Sequence, residues 1–384
     1  MYTVRNQAVA EKIMSDCRTW RIWLENTETG AVVMGDHIMD ADSQQNSTSL
    51  SDDIELGAVC SQSWTVNITG TDENFVGKEY RLYLYLKDFT HGVTTYGDLK
   101  AYTCGALNGL TIAQIRTLGE VLEGELIPMG VFTCVKAPRS GDGRQLVLYD
   151  KLYFADRAYE RKVSLPAYAS DVEKDVCRQL GMQCRGSSIS GDLHDSSGAA
   201  LIGSDGLRLK AASYDFTISK IAASTTCRQM LSYIASARGH FGTVDRSGAY
   251  MTRWYEKCGY TVSGDTADEP TVSEKPNQIV GIFCKVSEST TLSKIIGDGK
   301  GRIIEFENPY MNKSLLESLF ARIRNYTWYT SQLHHRLGDP RIDIGDVVSC
   351  EDCEIPVTGL AFSYDGGLSA DISAVGLNEE EQII

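Results

Sequence analysis

Residues 308–350, Asn308-Pro-Tyr-Met-Asn-Lys-Ser-Leu-Leu-Glu-Ser-Leu-Phe-Ala-Arg-Ile323 followed by RNYTWYTSQLHHRLGDPRIDIGDVVSC to Cys350, carry two hydrophobic periods in succession. Met311, Leu315, Leu316, Leu319, Phe320 and Ile323 recur at helical spacing, and Ser314 with Glu317 reads as a capping box opening a helix over 314–326. After Gly338-Asp339-Pro340, the alternation Arg341-Ile342-Asp343-Ile344 reads as a half-buried strand. Gly345-Asp346 then turns the chain into Val347-Val348, so the strand is expected over 341–349. A helix braced against restarting β structure, with no catalytic signature, is the reading that organises the rest.

Working outward, β structure dominates. Arg18–Leu24, Cys60–Thr69 and Glu79–Leu86 alternate, and Ile127–Val135 and Gln145–Tyr149 flank the turn Ser140-Gly-Asp-Gly143 as a hairpin. Asp150 to Tyr159 reads as a short helix or turn closing a unit over 1–158. The period changes over 159–262. One helix begins at a Ser170/Glu173 capping box and ends at Gly181; a second runs over 224–238 with Cys227, Met230, Leu231 and Ile234 on one face. With a strand pair around Asp245-Arg-Ser-Gly248, these make a small α/β module. Residues 263–276 are polar and acidic and read as a linker. A second β unit fills 263–384, containing the 314–326 helix (possible as a separate small domain) and strands at 341–349, 355–364 and 368–375 around the turn Asp365-Gly366-Gly367. The fold class is α+β, mainly β.

The formal net charge of −14 excludes a general nucleic-acid binder, which needs a basic face to neutralise phosphates. No stretch is apolar enough to span a membrane, and residues 1–16 lack the apolar core of a signal peptide. Eleven scattered cysteines, an odd number, read as buried small hydrophobes of a reduced, cytoplasmically made protein, not as a closed disulfide framework.

Candidate chemistry is thin. Cys350-Glu-Asp-Cys353 has zinc or redox spacing, but no second CxxC supplies four ligands, and the motif falls between expected strands, as a hairpin would place it. His334-His335 could contribute, although adjacent residues diverge on a regular element. Gly297-Asp-Gly-Lys-Gly301-Arg302 lacks phosphate-loop spacing and a following helix, and reads as a hairpin tip. Cys104 with His91 is the one tempting nucleophile and base, with no helix start behind the cysteine. Trp20, Trp23, Tyr83, Tyr85, Tyr326, Trp328 and Tyr329 could stack sugars; strand aromatics more often pack cores and subunit contacts, which makes Tyr83, Tyr85, Tyr326, Trp328 and Tyr329 the subunit-interface candidates. No catalytic residue, metal or cofactor is assigned, beyond Cys350 and Cys353 as a weak metal pair.

The collinear order of several short segments resembles the phage tail hub (baseplate hub) family, which includes the N-terminal structural part of tail-associated lysins. The segments are Ile54-Glu-Leu-Gly57 before an alternating strand, Ile127-Pro-Met-Gly130 through Tyr149-Asp150-Lys-Leu-Tyr153, Cys227 to Tyr255, and Asn308 to Val348. The resemblance implies two barrel-like tube domains with smaller α/β domains beside them. It further implies a homotrimeric ring that joins a six-fold tail tube to a three-fold tip around an axial DNA channel. Expected partners are a distal tail or tube protein on one side and a tip, spike or fibre protein on the other, with genomic DNA only in transit. The expected location is the virion, after assembly in the bacterial cytoplasm. Some relatives continue into a peptidoglycan hydrolase; this sequence ends at Ile384 after its last expected strand, so a non-enzymatic role is expected. A tail-associated endopeptidase and a carbohydrate-binding receptor module are the competing readings.

Overall fold

The computed structural model describes residues 1–384 except 5–6, 16–17, 34–36, 50–52, 72, 88–110, 112–124, 188–214, 264–265, 298–300, 351 and 377–384. A short helix α1 (Gln7–Ile13) precedes β1 (Thr19–Asn26), β2 (Val32–Val33), β3 (Ile38–Asn46), β4 (Ser63–Thr69) and β5 (Glu79–Lys87). The hairpin expected around residues 140–143 forms from β6 (Glu125–Lys136), β7 (Arg139–Ser140) and β8 (Gly143–Tyr149), closed by a 3-10 turn at Lys151–Phe154. Buried and half-exposed positions alternate along β1 and β4, as the sequence pattern requires.

The middle of the chain holds β9 (Ala167–Tyr168), α2 (Ala169–Gln179), β10 (Cys184–Ser187), β11 (Thr217–Ile218), α3 (Cys227–Ala237), β12 (Phe241–Val244) and β13 (Tyr250–Arg253). Both helices fall where the apolar period places them, but α2 starts differently from expectation. Ser170 bonds Asp215 through its backbone N–H and hydroxyl, and Glu173 turns inward to Arg238, so no capping box forms there. The box sits on α3, where Thr226 and Gln229 exchange side-chain and backbone bonds.

The last part comprises β14 (Glu256–Thr261), β15 (Ala267–Val272), β16 (Asn277–Ser287), β17 (Thr290–Ile295), β18 (Arg302–Glu307), α4 (Lys313–Ile323), β19 (Thr327–Trp328), β20 (Ser331–His335), β21 (Asp346–Cys350), β22 (Cys353–Pro356), β23 (Gly359–Tyr364) and β24 (Leu368–Ala374). Four expectations are corrected here. The expected linker contains β15, which pairs with β20; its Pro270 is tolerated because β15 is an edge strand. The helix starts at Lys313, with Asn312 accepting the Leu315 N–H at 2.9 Å in place of the Ser314/Glu317 box.

Residues 341–344 form no strand, although Ile342 and Ile344 are buried. Asp339 takes the Arg341 N–H and Asp346 takes the Asp343 N–H, each at 2.8–2.9 Å, and these side-chain bonds replace a ladder. The Gly297–Arg302 segment is no hairpin tip. β17 and β18 both pair with β16, from opposite sides, so the connection crosses over that strand. Gly301 (φ 145°) fits the crossing because a Cβ there would lie 2.6 Å from Val280.

One sheet links the two ends of the chain, in the order β15-β20-β24-β23-β3-β4-β8-β6-β5-β1-β2, with β7 beside β8. The junction is the antiparallel pairing of β3 with β23, Ala41 opposite Tyr364 and Asn46 opposite Gly359. The sheet curls, since Tyr364 Oη donates to the Trp20 carbonyl of β1 at 3.2 Å. Among the described residues it remains open, with β15 and β2 as its edges. The fold is α+β and mainly β, as the sequence indicates, with several sheets and a few short helices; no closed barrel is found among the described residues, which does not conflict with barrel-like tube domains.

Candidate interaction surfaces and buried ties

Period-2 alternation gives the long sheet two unlike faces. The inner one carries Trp20, Ile22, Trp64, Val66, Leu360, Phe362 and Ile372, all at most 3% exposed. The outer face of five adjacent strands, β20, β24, β23, β3 and β4, presents Gln332, His334, Asp371, Ser363, Asp40, Asp42, Thr65 and Asn67. These five strands contain no lysine or arginine at all. Cross-strand bonds tie the face together: Ser363 Oγ donates to Asp42 at 2.6 Å, Asn67 Nδ2 to Asp40 at 2.5 Å, and His334 Nδ1 lies 2.6 Å from Asp371.

At the other end of the sheet the outer face turns aromatic. Tyr83 and Tyr85 share it with Trp23, half-exposed, and the Trp23 and Tyr85 rings stack at 5.2 Å. Tyr83 donates to Glu25 at 3.2 Å. Tyr326 and Trp328 do not reach a surface: they are 9% and 1% exposed and join Trp254 and Tyr255 in an aromatic cluster. Trp328 Nε1 donates to the Val375 carbonyl at 2.6 Å. Their place in the core corrects the expectation that they form a subunit contact; indole and phenol rings bury most area where several elements converge. Tyr329, next along, is half-buried.

A cleft of about 590 Å³ opens between the β5–β6 face and the β12–β13 turn, lined by Tyr2, Arg81, Tyr83, Pro128, Arg246 and Arg253 among others. Arg246 ties three segments together there. It donates to the carbonyls of Pro128 and Pro340 at 2.9 and 2.7 Å, reaches Asp343 Oδ1 at 2.9 Å, and lies over the Tyr2 ring at 4.9 Å. Arg185 pairs with Asp245 at 2.8 Å and Arg253 with Asp346 at 3.1 Å, so these cations are matched within the chain. Asp346 also receives the Met1 amino group at 2.6 Å. Sequence reasoning took Asp245-Arg-Ser-Gly248 as a turn only; nothing in its pattern announces that Arg246 reaches residues 340–343.

Beneath the surface a polar chain joins α2, α3, α4 and β12. Glu173 receives both of its bonds from Arg238 Nη1, at 2.8 and 2.9 Å, with both side chains buried. Arg322 of α4 donates to the Arg238 carbonyl at 2.8 Å and contacts His240 Nε2 at 2.5 Å. Burial, and then the Arg322 and Arg238 charges, hold the His240 imidazole well below its ordinary value, so it stays neutral and accepts from Arg322. Burial likewise drives the Glu173 carboxyl up, against the pull of Arg238. Asn308 adds bonds to the Tyr233 carbonyl and Ser236 Oγ at 2.7 and 3.0 Å. The helix of the opening stretch is thus anchored on the α/β module.

The remaining candidates fall into structural roles. Cys350 and Cys353 are register partners across the β21–β22 turn, as the hairpin reading expected; among the described residues no group of three or more acidic, cysteine or histidine side chains has metal-binding geometry. His334 faces out while His335 is fully buried near Tyr260 and Thr266, so the two diverge. Arg302 pairs with Asp53. The Cys104–His91 pair lies outside the described residues.

No protein-family model and no curated protein matches the sequence. Solved structures do. The 43 kDa tail protein of prophage MuSo2 from Shewanella oneidensis superposes with a TM-score of 0.50 at 12% identity, covering 92% of this chain and 97% of that one. A tail protein from Neisseria meningitidis MC58 superposes with a TM-score of 0.51 at 10% identity, covering 92% and 95%. At such identity the likeness is one of fold, and it extends over nearly the whole of each chain.

Proposed function

We propose that the chain is a structural tail hub protein of a bacteriophage or phage-like particle, without enzymatic activity of its own. Three copies close into a ring that joins a six-fold tail tube to a three-fold tip and leaves an axial channel for DNA. The observation that carries this reading is the outer face of β20, β24, β23, β3 and β4, which displays Asp40, Asp42 and Asp371 among polar side chains and no lysine or arginine. A surface bordering transiting DNA is best built this way, because lysine or arginine would bind phosphates and carboxylates repel them. The fold shared with two phage tail proteins points the same way.

Ring closure follows from the sheet edges. Among the described residues, the long sheet of each copy has one internal junction, β3 with β23, and two unpaired edges, β15 and β1–β2. Uncovered edges are poorly tolerated in isolation, and a three-fold ring covers all of them with neighbouring copies. The ring then has six sheet junctions, three within chains and three between them. A tube protein above and a tip or spike protein below would complete the assembly.

Cryo-electron microscopy of the purified chain, with mass photometry at micromolar concentration, tests the reading. A three-fold particle whose lumen is faced by Asp40, Asp42 and Asp371 is expected. A strictly monomeric protein, or a ring with those carboxylates on its outer wall, would refute it.

A further inference from the structure

Strands β21 and β22 meet in an unbroken antiparallel register: Val347 opposite Pro356, Val348 opposite Ile355, Ser349 opposite Glu354 and Cys350 opposite Cys353. A two-residue turn joins them, with Asp352 in the left-handed region at φ 68°. Directly opposite residues of such a pair project from the same face, their Cα atoms and their Cβ atoms each ~4.5–5.5 Å apart. A disulfide spans Cα atoms ~4.4–6.8 Å apart and Cβ atoms ~3.5–4.5 Å apart, so closure here asks for a shift of roughly 1 Å at the tip of a hairpin. Cys134, Cys184 and Cys284, also on strands, stand instead opposite Leu148, Tyr250, and Leu292 with Phe306. Cys350 is fully buried, whereas Cys353 is half-buried and can be reached from solvent.

We propose that Cys350 and Cys353 are a disulfide-forming pair, closed by exchange with a low-molecular-weight disulfide that enters at Cys353. The Cys353 thiol loses its proton and attacks one sulfur of R–S–S–R, giving a mixed disulfide and a thiolate that takes up that proton. Cys350, held opposite by the register, then gives up its proton and attacks the Cys353 sulfur, expelling the second thiol. Two protein thiols are oxidised, and one R–S–S–R is reduced to two R–SH, which carry both protons away.

Charge selects the reagent. Glu351 and Asp352 separate the two cysteines and Glu354 follows, so this tip draws a cationic disulfide and repels an anionic one. The bond fits a particle that is built in a reducing cytoplasm and released into an oxidising medium. Only that occasion rests on the tail reading; closure belongs to the isolated chain, and its failure would leave the tail reading untouched.

The test incubates the reduced full-length chain with cystamine, quenches in acid and alkylates under denaturing conditions. Trypsin and a glutamate-specific protease then cut between the two cysteines, and the expected product joins Ile342-Asp-Ile-Gly-Asp-Val-Val-Ser-Cys-Glu351 to Asp352-Cys-Glu354. Cystamine should close the bond several-fold faster than oxidised glutathione at low salt, the gap narrowing as salt is added. C350S should hold cysteamine on Cys353, and C353S should leave Cys350 unmodified. Because the fold already sets the pair opposite, closure at a fixed ratio of cystamine to cysteamine should be favoured about tenfold over the same chain in urea. Both cysteines alkylated after treatment would overturn the proposal. So would cysteamine retained on Cys353 in the parent chain, a link from either residue to another cysteine, or closure no more favourable than in urea.

Discussion

Glu173 and Arg238 form a buried pair whose partners are each costly alone, and this makes a sharp test of what holds α2 on α3. In Glu173→Met the Arg238 guanidinium, with its side chain 8% exposed, loses both bonds at 2.8 and 2.9 Å and keeps its charge. In Arg238→Met a carboxylate 1% exposed is stranded instead. Removing one partner of such a pair costs about 3–5 kcal/mol, whereas replacing both with apolar side chains of similar volume costs about zero or stabilises. The two single variants should therefore sum to ~6–10 kcal/mol while the double variant stays within ~1 kcal/mol of the parent, a coupling of at least ~5 kcal/mol. The singles should also differ in pH response. Stranded Glu173 can take up a proton, its folded value being driven further above the unfolded one, so Arg238→Met loses stability as pH rises above the ordinary carboxylate range. Glu173→Met leaves no carboxyl to titrate and a guanidinium that stays charged throughout, so this site should contribute no slope to that variant. Urea unfolding followed by circular dichroism, with hydrogen exchange on α2 and α3, reads both effects. Single variants costing under ~1 kcal/mol, or a double variant as unstable as the sum, would refute the reasoning.

Three further outcomes are expected. Asp150 is buried, and desolvation pushes its carboxyl up to about 7 against bonds from the Gln62, Leu152 and Tyr153 backbone. The folded state then binds more protons than the unfolded chain between about pH 4 and 7, so stability falls as pH rises through that window; Asp150→Asn should flatten the slope in thermal melts taken at stepped pH. Gly57 (φ 83°) bonds the His240 carbonyl at 2.7 Å, and a Cβ there would lie 2.6 Å from the Ser232 carbonyl oxygen. Gly57→Ala should cost about 2–4 kcal/mol and show as faster limited proteolysis of the module, with an unchanged digestion rate counting against the close approach. Asn312→Ala should cost about 1 kcal/mol through loss of the cap on α4 while Ser314→Ala stays within ~0.5, and the reverse order in chemical denaturation would restore the capping box read from sequence.

Much of this fold is legible in the sequence because burial leaves a period. The alternation in β1, β4 and β8 and the 3.6-residue stripes of α2, α3 and α4 stand where the pattern puts them. The failures share one cause: a period reports which side chains are buried and says nothing about what they are buried against. Ile342 and Ile344 alternate like a strand and are buried like one, yet Asp339 and Asp346 take the local N–H groups. Residues 267–272 read as linker because their polarity is that of an edge strand. Tyr326 and Trp328 belong to the core, a matter decided by Trp254 and Tyr255 from a distant segment. Arg246 and the Glu173–Arg238–Arg322–His240 chain are long-range ties between ordinary polar residues, and no local spacing reveals them. The acidic sheet face was foreshadowed only as a net charge; which carboxylates share it depends on the β3–β23 register.

That register also sets a timetable for synthesis. Ala41 to Asn46 wait for Gly359 to Tyr364, and the bond from Ser363 to Asp42 spans 321 residues. At about 5–20 residues per second, β3 would stand beside the ribosome for roughly 16–60 s before its partner emerges. During that interval one side of Ile38–Asn46 is an unsatisfied template, and every nascent copy on the same message carries another. Asp40 and Asp42 place two charges on the waiting strand, so the carboxylates proposed to keep DNA sliding through the mature particle would also keep unfinished chains from pairing with each other.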